Sequence, residues 1–196
     1  RPPPPLPAYA RGDAREAAAA FADGVPGLHR PLEAHPEPGV IDPATAPQVI
    51  AAIDEAVDLA FAGAVSAIVT NPINKDALYA AGFRHQGHTD YLAHLSARHG
   101  NPVNEVMMLI GGDLRAVPVT VHIPLADVPR ALTREAILAQ ARVTARDLRR
   151  YFGIARPRLT FTGLNPHAGE NGAMGREEIE VIAPALEQLR AEGLDV

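Results

Sequence analysis

The sequence predicts an α/β fold, three-layered (α/β/α) with a mixed sheet. Two observations carry this. Short apolar runs rich in β-branched residues alternate with segments of helical periodicity through most of the chain, which calls for a sheet buried between helices. Two of the strand-like runs follow each other across a Gly-Gly-Asp turn near 106–123, which favours a mixed sheet over a purely parallel one.

Residues 1–43 are rich in Pro, Ala and Gly and weakly periodic, so they read as an irregular segment with a short helix at 13–22. The regular α/β region is expected over 44–196. "ATAPQVIAAIDEAVDLAFAG" places Val49, Ile53, Val57 and Ala60 at helical spacing and stops at Gly63. "AVSAIVTNP" (64–72) reads as a buried strand closed by Asn-Pro. "KDALYAAG" and "DYLAHLSARHG" are short helices ending at Gly82 and Gly100. "EVMMLIGGD" (105–113) and "RAVPVTVHIPL" (115–125) form the hairpin-like pair.

The segment 133–153 has Thr133 as N-cap and an apolar stripe of Ile137, Ala141, Ala145, Leu148 and Phe152. "RLTFTGLNP" (158–166) is a further strand. In the last helix, 176–193, Pro184 predicts a kink or a break, and a further strand is expected to begin after the Gly193 cap. The Pro-rich opening and this ending together read as an interior piece of a longer protein.

Bulk properties exclude several function classes. Hydrophobic residues make up 47% of the 196 and charged residues 21%, which argues against general disorder. A net charge of -5 repels nucleic acid, so no nucleic-acid partner is expected. Without cysteine, any metal must be held by His and carboxylates. No apolar run approaches membrane-spanning length, and "RPPPPLPAYARGD" lacks the apolar core of a signal peptide, so no membrane association and a cytoplasmic location are expected.

Ligands gather at the carboxyl ends of strands in α/β sheets, and that rule sorts the eight histidines. His122 ends "VPVTVHIPL" and His167 follows "LTFTGLNP"; both occupy strand-end positions. His88 opens a helix, with Thr89 and Asp90 beside it as cap-type side chains. His94 and His99 suit the surface or the helix C-terminus, His85 fits either role, and His29 and His35 lie in the irregular segment. Each has a plainer reading: strand-end histidines bond nearby carbonyls, Thr89 and Asp90 cap, "GENGAMG" merely connects, and Lys75 is a solvated lysine near a turn. The glycines Gly169, Gly172 and Gly175 would let backbone N–H groups approach an anion or a dinucleotide. No dinucleotide or P-loop fingerprint, nucleophile elbow or zincin motif occurs.

The strings "VTNPINKDAL", "GHTDYLA", "VTVHIPL" and "LNPHAGENGAMGREEIEVIAPAL" occur in this order. Together they resemble the 4-hydroxythreonine-4-phosphate dehydrogenase (PdxA) family of vitamin B6 biosynthesis, over roughly residues 44–195. The resemblance implies the fold of isocitrate and isopropylmalate dehydrogenases. It implies oxidation of 4-phosphooxy-L-threonine by NAD, with decarboxylation to 3-amino-2-oxopropyl phosphate. It also implies a homodimer whose divalent metal, zinc first and magnesium or cobalt as alternatives, is bound by histidines at a site shared between subunits.

Carried over by motif, His88 and Thr89 contact the substrate, while His122 and His167 bind metal. Such a metal lowers the pKa of the substrate hydroxyl and favours loss of the carboxylate, and imidazoles suit zinc. The family's "GDPAGIGPE"-type opening is missing, as are its third metal histidine in a "YHDQG"-type string and its further substrate-binding Lys, Asn and Arg. General base and cofactor-binding residues therefore stay unassigned; Lys75 enters only because "NPINK" follows a strand end. Two alternatives remain open: a related decarboxylating cis-dihydrodiol dehydrogenase of aromatic-acid breakdown, and a catalytically incompetent fragment that serves as a binding or dimerisation module.

Overall fold

The computed structural model describes residues 8–10, 13–22, 24–34 and 36–196. The proline run at 1–7 and His35 lie outside the described residues. The chain divides into two compact units, Arg1–Val103 and Asn104–Val196.

In the first unit, β1 (Ala8–Ala10) pairs in parallel with β2 (Val25–Gly27), and the short helix α1 (Ala17–Ala20) lies between them in sequence, within the expected 13–22. Helix α2 (Ala46–Phe61) follows a single 3-10 turn whose start is capped by Asp42, which accepts the Ala44 N–H at 2.9 Å. Helices α3 (Lys75–Ala80) and α4 (His88–Arg98) complete the unit's packing. The predicted stripe of α2 does what its spacing requires. Ile53 and Val57 are buried with Leu78 of α3, Phe83, and Tyr91 and Leu95 of α4, while Val49 packs at the edge. The Tyr91 hydroxyl donates to Asp54 of α2, and burial, then that carboxylate, push its pKa up to about 12.

In the second unit, β3 (Leu109–Gly111) and β4 (Leu114–Ala116) form an antiparallel hairpin across Gly112-Asp113, as the Gly-Gly-Asp turn predicts. The one-turn helix α5 (Val128–Ala131) precedes α6 (Arg134–Phe152), whose N-cap is Thr133: its hydroxyl accepts the Ala136 N–H at 3.1 Å. Gly153, with φ 68°, ends α6 in the left-handed conformation that a side chain would strain. Pro184 does mark a break. A π turn at Glu178–Ile182 gives way to α7 (Ala183–Ala191), with the proline in the first turn of α7 where no N–H is needed.

Ile137, Leu138 and Ala141 of α6 pack on Ile182, Ala185 and Leu189, with Leu159 and Phe161 at the margin. Polar ties flank this core. Arg142 Nε donates to Glu192 Oε2 at 2.9 Å, and Arg134 to Gln188 Oε1 at 2.6 Å. The Arg142 guanidinium, helped by Gln188, holds the Glu192 carboxyl down at about 2.

Two expectations are corrected. Phe152, assigned to the apolar stripe, is 42% exposed and lies under the Arg115 guanidinium, 5.4 Å from the ring centroid. It is the last residue of α6, where the helix has run past its partner. The stretches read as strands at 64–72, 105–113, 115–125 and 158–166 supply only the short hairpin. Among the described residues the paired strands form two ladders of two strands each. The remaining stretches form no ladder beyond a single bridge, because β-branched composition favours extended backbone but a strand exists only when a neighbour completes its ladder. Ile68 packs on the first core while Val69 is 96% exposed. One parallel bridge, Arg158 with Asp195, sits where a strand after Gly193 is expected, and Leu159 N–H donates to Asp195 O at 2.9 Å.

Leu189 is fully buried and Phe152 is not. Urea denaturation should therefore show Leu189→Ala losing about 3 kcal/mol, and Phe152→Ala less than about 1 kcal/mol.

Candidate functional site

Asn165 organises the loop that carries His167. Its side-chain Oδ1 accepts the His167 N–H at 2.9 Å, its Nδ2 donates to Met174 O at 3.2 Å, and its carbonyl accepts the Ala168 N–H at 2.8 Å. This is the local self-bonding that Asn performs at turns. The backbone N–H of Asn165 donates to Glu178 Oε1 at 3.0 Å, from the start of the π turn. That bond holds the Glu178 carboxyl below the usual carboxylate range. Its other oxygen, Oε2, is sealed from solvent without a partner among the described residues.

The glycines of the loop fit this carboxylate. A Cβ on Gly169 would stand 2.7 Å from Gly175 O and 3.0 Å from Glu178 Oε2, and its φ is 73°, so only glycine satisfies both demands. The N–H groups of Ala168, Glu170, Ala173 and Met174 bond carbonyls of the loop itself, and the Asn165 N–H faces a carboxylate. These four donors and the Asn165 N–H close the loop, with Glu178 against its base.

His167 emerges from this loop with an exposed ring, and its Nδ1 lies 3.3 Å from Glu170 Oε1. His122 is also exposed and has φ 56°. Ala168, Glu170 and Asn171 have φ of 49°, 45° and 56°. Left-handed backbone costs a non-glycine residue about 1–2 kcal/mol. Strain of this kind concentrates at functional sites, and in this unit it falls on the two predicted ligand regions.

His88 is the first residue of α4, half-buried, and Thr89 follows it, exposed and without a hydrogen bond among the described residues. Neither Thr89 nor Asp90 is the N-cap; Gly87 is, with no side-chain cap. Asp90 instead reaches back to the Gln86 N–H at 3.1 Å and to His85 Nδ1 at 3.1 Å, in the manner of a capping box. Thr89 is thereby left free. Lys75, at the start of α3, extends toward this helix start; a Cβ on Gly87 would lie 4.0 Å from its Nζ. His85, His94 and His99 make packing contacts. His85 sits among Phe83, Tyr91 and His94, and His99 stacks on Phe61 while meeting Asp58 at 2.9 Å.

His88 and Thr89 thus belong to the first unit, and His122 and His167 to the second. Among the described residues no three His, Asp or Glu side chains converge to hold a metal. The imidazole donors suit a borderline divalent ion, and His167 keeps Nε2 free because Nδ1 is engaged. A shallow cavity of about 340 Å³ in the first unit is lined by Val40, Ile41, Asp42 and Asn74 among others, and His88, Thr89, His122 and His167 do not line it. Sequence reading missed Glu170 and Glu178. The only available signal for them was their spacing from His167 within "NPHAGENGAMGREE".

The family profile described as "Pyridoxal phosphate biosynthetic protein PdxA" matches residues 9–196. The chain belongs to the PdxA family. It is 50% identical over 182 residues to the 4-hydroxythreonine-4-phosphate dehydrogenase of Bradyrhizobium diazoefficiens, covering 93% of this chain and 53% of that protein. It is 52% identical to the enzyme of the same name from Caulobacter vibrioides, covering 92% and 55%. Among solved structures, the Klebsiella pneumoniae 4-hydroxythreonine-4-phosphate dehydrogenase matches with a TM-score of 0.84 at 34% identity, over 98% of this chain and 58% of that one. The Burkholderia phymatum enzyme matches with a TM-score of 0.77 at 36% identity. The chain spans about half the length of the curated PdxA relatives it matches. Among the described residues no helix is long and apolar enough to cross a membrane.

The lowered Glu178 carboxyl sets a pH dependence. Its stabilisation is complete above the unfolded value near 4.5 and is lost as pH falls through the lower folded value. Thermal melts should show Glu178→Gln less stable than the parent at pH 7, with the gap closing in acid; a gap that is constant with pH would mean the charge plays no part. Gly169→Ala should cost about 1–3 kcal/mol in the same melts, from strain and the contact with Gly175 O.

Proposed function

We propose that this chain is a portion, carrying His88, His122 and His167, of an NAD- and metal-dependent dehydrogenase that oxidises and decarboxylates 4-phosphooxy-L-threonine to 3-amino-2-oxopropyl phosphate. The supporting observation is His167, exposed on a strained loop with Nδ1 against a carboxylate and Nε2 unengaged, in a chain half identical to enzymes named for that substrate.

In this reading residues 1–43 form a leading segment and 44–196 a partial dehydrogenase region. The stretches at 64–72 and 158–166 become strands of a three-layered mixed sheet of the isocitrate dehydrogenase type. The rest of the sheet comes from the half of the relatives' length that this chain does not span. Completing the ladder would satisfy their backbone groups and cover Val69.

His88 and Thr89 bind the substrate, and His122 and His167 hold a divalent metal, zinc first. Further ligands come from the remainder of the enzyme and from the second subunit of a homodimer. When bound, the metal lowers the pKa of the substrate hydroxyl and draws electrons from the ketone that decarboxylates. The chain's own contribution is positional. His88 lies in the first turn of α4, where unpaired N–H groups and the helix dipole favour an anionic substrate. His167 is fixed by three bonds of Asn165 and by Glu178. The enzyme acts in the cytoplasm, where the phosphorylated amino acid and NAD are both present.

The test is turnover by the full-length enzyme that contains this chain, on 4-phosphooxy-L-threonine and, separately, on a cis-dihydrodiol carboxylate, following NADH. Preference for the phosphorylated amino acid, with His88→Ala raising KM and His167→Ala removing metal and activity together, is the expected result. Preference for the dihydrodiol would reassign the substrate, and full activity in His122→Ala/His167→Ala would remove the metal reading. Zinc calorimetry on the 196-residue chain should show binding that disappears in that double variant.

A further inference from the structure

We propose that Glu170 is the positioning residue of His167: its carboxylate holds Nδ1 as the protonated nitrogen and leaves Nε2 as the one that meets a ligand. An ionised carboxylate only accepts hydrogen bonds, so the imidazole nitrogen facing it carries the hydrogen. His167 Nδ1 and Glu170 Oε1 are 3.3 Å apart. Free histidine favours the opposite tautomer, so the carboxylate reverses an intrinsic preference. This is the relation that orients a metal-bound histidine through its second nitrogen.

The backbone is shaped for this pairing. Ala168, Gly169 and Glu170 run in left-handed conformation, with φ of 49°, 73° and 45°, and the Glu170 N–H returns to His167 O at 3.1 Å. One left-handed turn therefore brings the side chain of residue 170 back beside that of 167. The histidine end is fixed independently, because Asn165 Oδ1 holds the His167 N–H at 2.9 Å. Fold stability does not account for the arrangement. The two side chains are 63% and 57% exposed, and an exposed pair contributes little, while the non-glycine residues of the turn carry strain. The strain is spent on aiming one ring.

The tautomer assignment stands on this geometry alone, and its consequence for metal rests on the reading of His167 as a ligand. Ring-nitrogen NMR on the 196-residue chain at pH 8 separates the two. The parent should show His167 mainly protonated at Nδ1. Glu170→Ala should move it toward Nε2–H, and Glu170→Gln, whose amide oxygen still accepts, should restore most of the Nδ1–H form. Zinc titration of the same samples should show Glu170→Ala binding about 10–100-fold more weakly, with Gln between the two. His167 already protonated at Nε2 in the parent, or a tautomer unmoved in both variants, would overturn the proposal. The expected tautomer shift together with zinc binding that His167→Ala leaves unchanged would uphold Glu170 as the positioning residue and remove the metal reading instead.

Discussion

The hydrogen bond from the Asn165 backbone to the Glu178 carboxylate is the constraint from which the His167 loop takes its shape. It joins the end of an extended stretch to the start of the π turn, thirteen residues later, and so closes the loop between them. Everything inside that closure follows from space and donor supply. Gly169 must be glycine because the carboxylate and the Gly175 carbonyl occupy the volume of a side chain. Asn165 then spends its own amide on the loop, and His167 is left pointing outward. A charged acceptor suits the task, since bonds to an ionised group are roughly twice as strong as neutral ones.

The loop is anchored on the best-packed part of its unit. The π turn that supplies Glu178 runs directly into α7, and Ile182 and Leu189 are buried against α6. Apolar burial thus fixes the base of the loop, and the side chains that face outward need only local hydrogen bonds. The first unit uses a related division of labour. Tyr91 and Leu95 fix α4 by burial, which leaves His88 and Thr89 at its open first turn. His88 and Thr89 open α4, and His167 sits on the loop that runs into the π turn before α7.

Among the described residues, left-handed backbone at non-glycine positions, His122, Ala168, Glu170 and Asn171, sets these regions apart. A protein keeps such residues only where surrounding contacts over-determine them. Around His167 those contacts are visible: Asn165, Glu178 and the loop's own amides. Extended stretches without ladder partners are the complementary feature, and they accord with a chain that spans about half of its relatives' length.

By itself the sequence determined the helices. Thr133 as a cap, the α6 stripe from Ile137 to Leu148, the break at Pro184 and the turn at Gly112-Asp113 all depend on neighbours a few residues away, and local physics suffices for them. The ordered strings around His88, His122 and His167 likewise marked the family. Only tertiary structure decided the rest. Extended backbone is a local preference, but a strand needs a partner distant in sequence, so which apolar runs would pair was not legible from composition. Phe152 left the core because α7 no longer lies beside it, and that is a fact about two helices. Glu170 and Glu178 went unread for a similar reason. A carboxylate in a glycine-rich string resembles any solvated charge until the loop's left-handed turn brings one to His167 Nδ1 and the π turn brings the other to the Asn165 N–H.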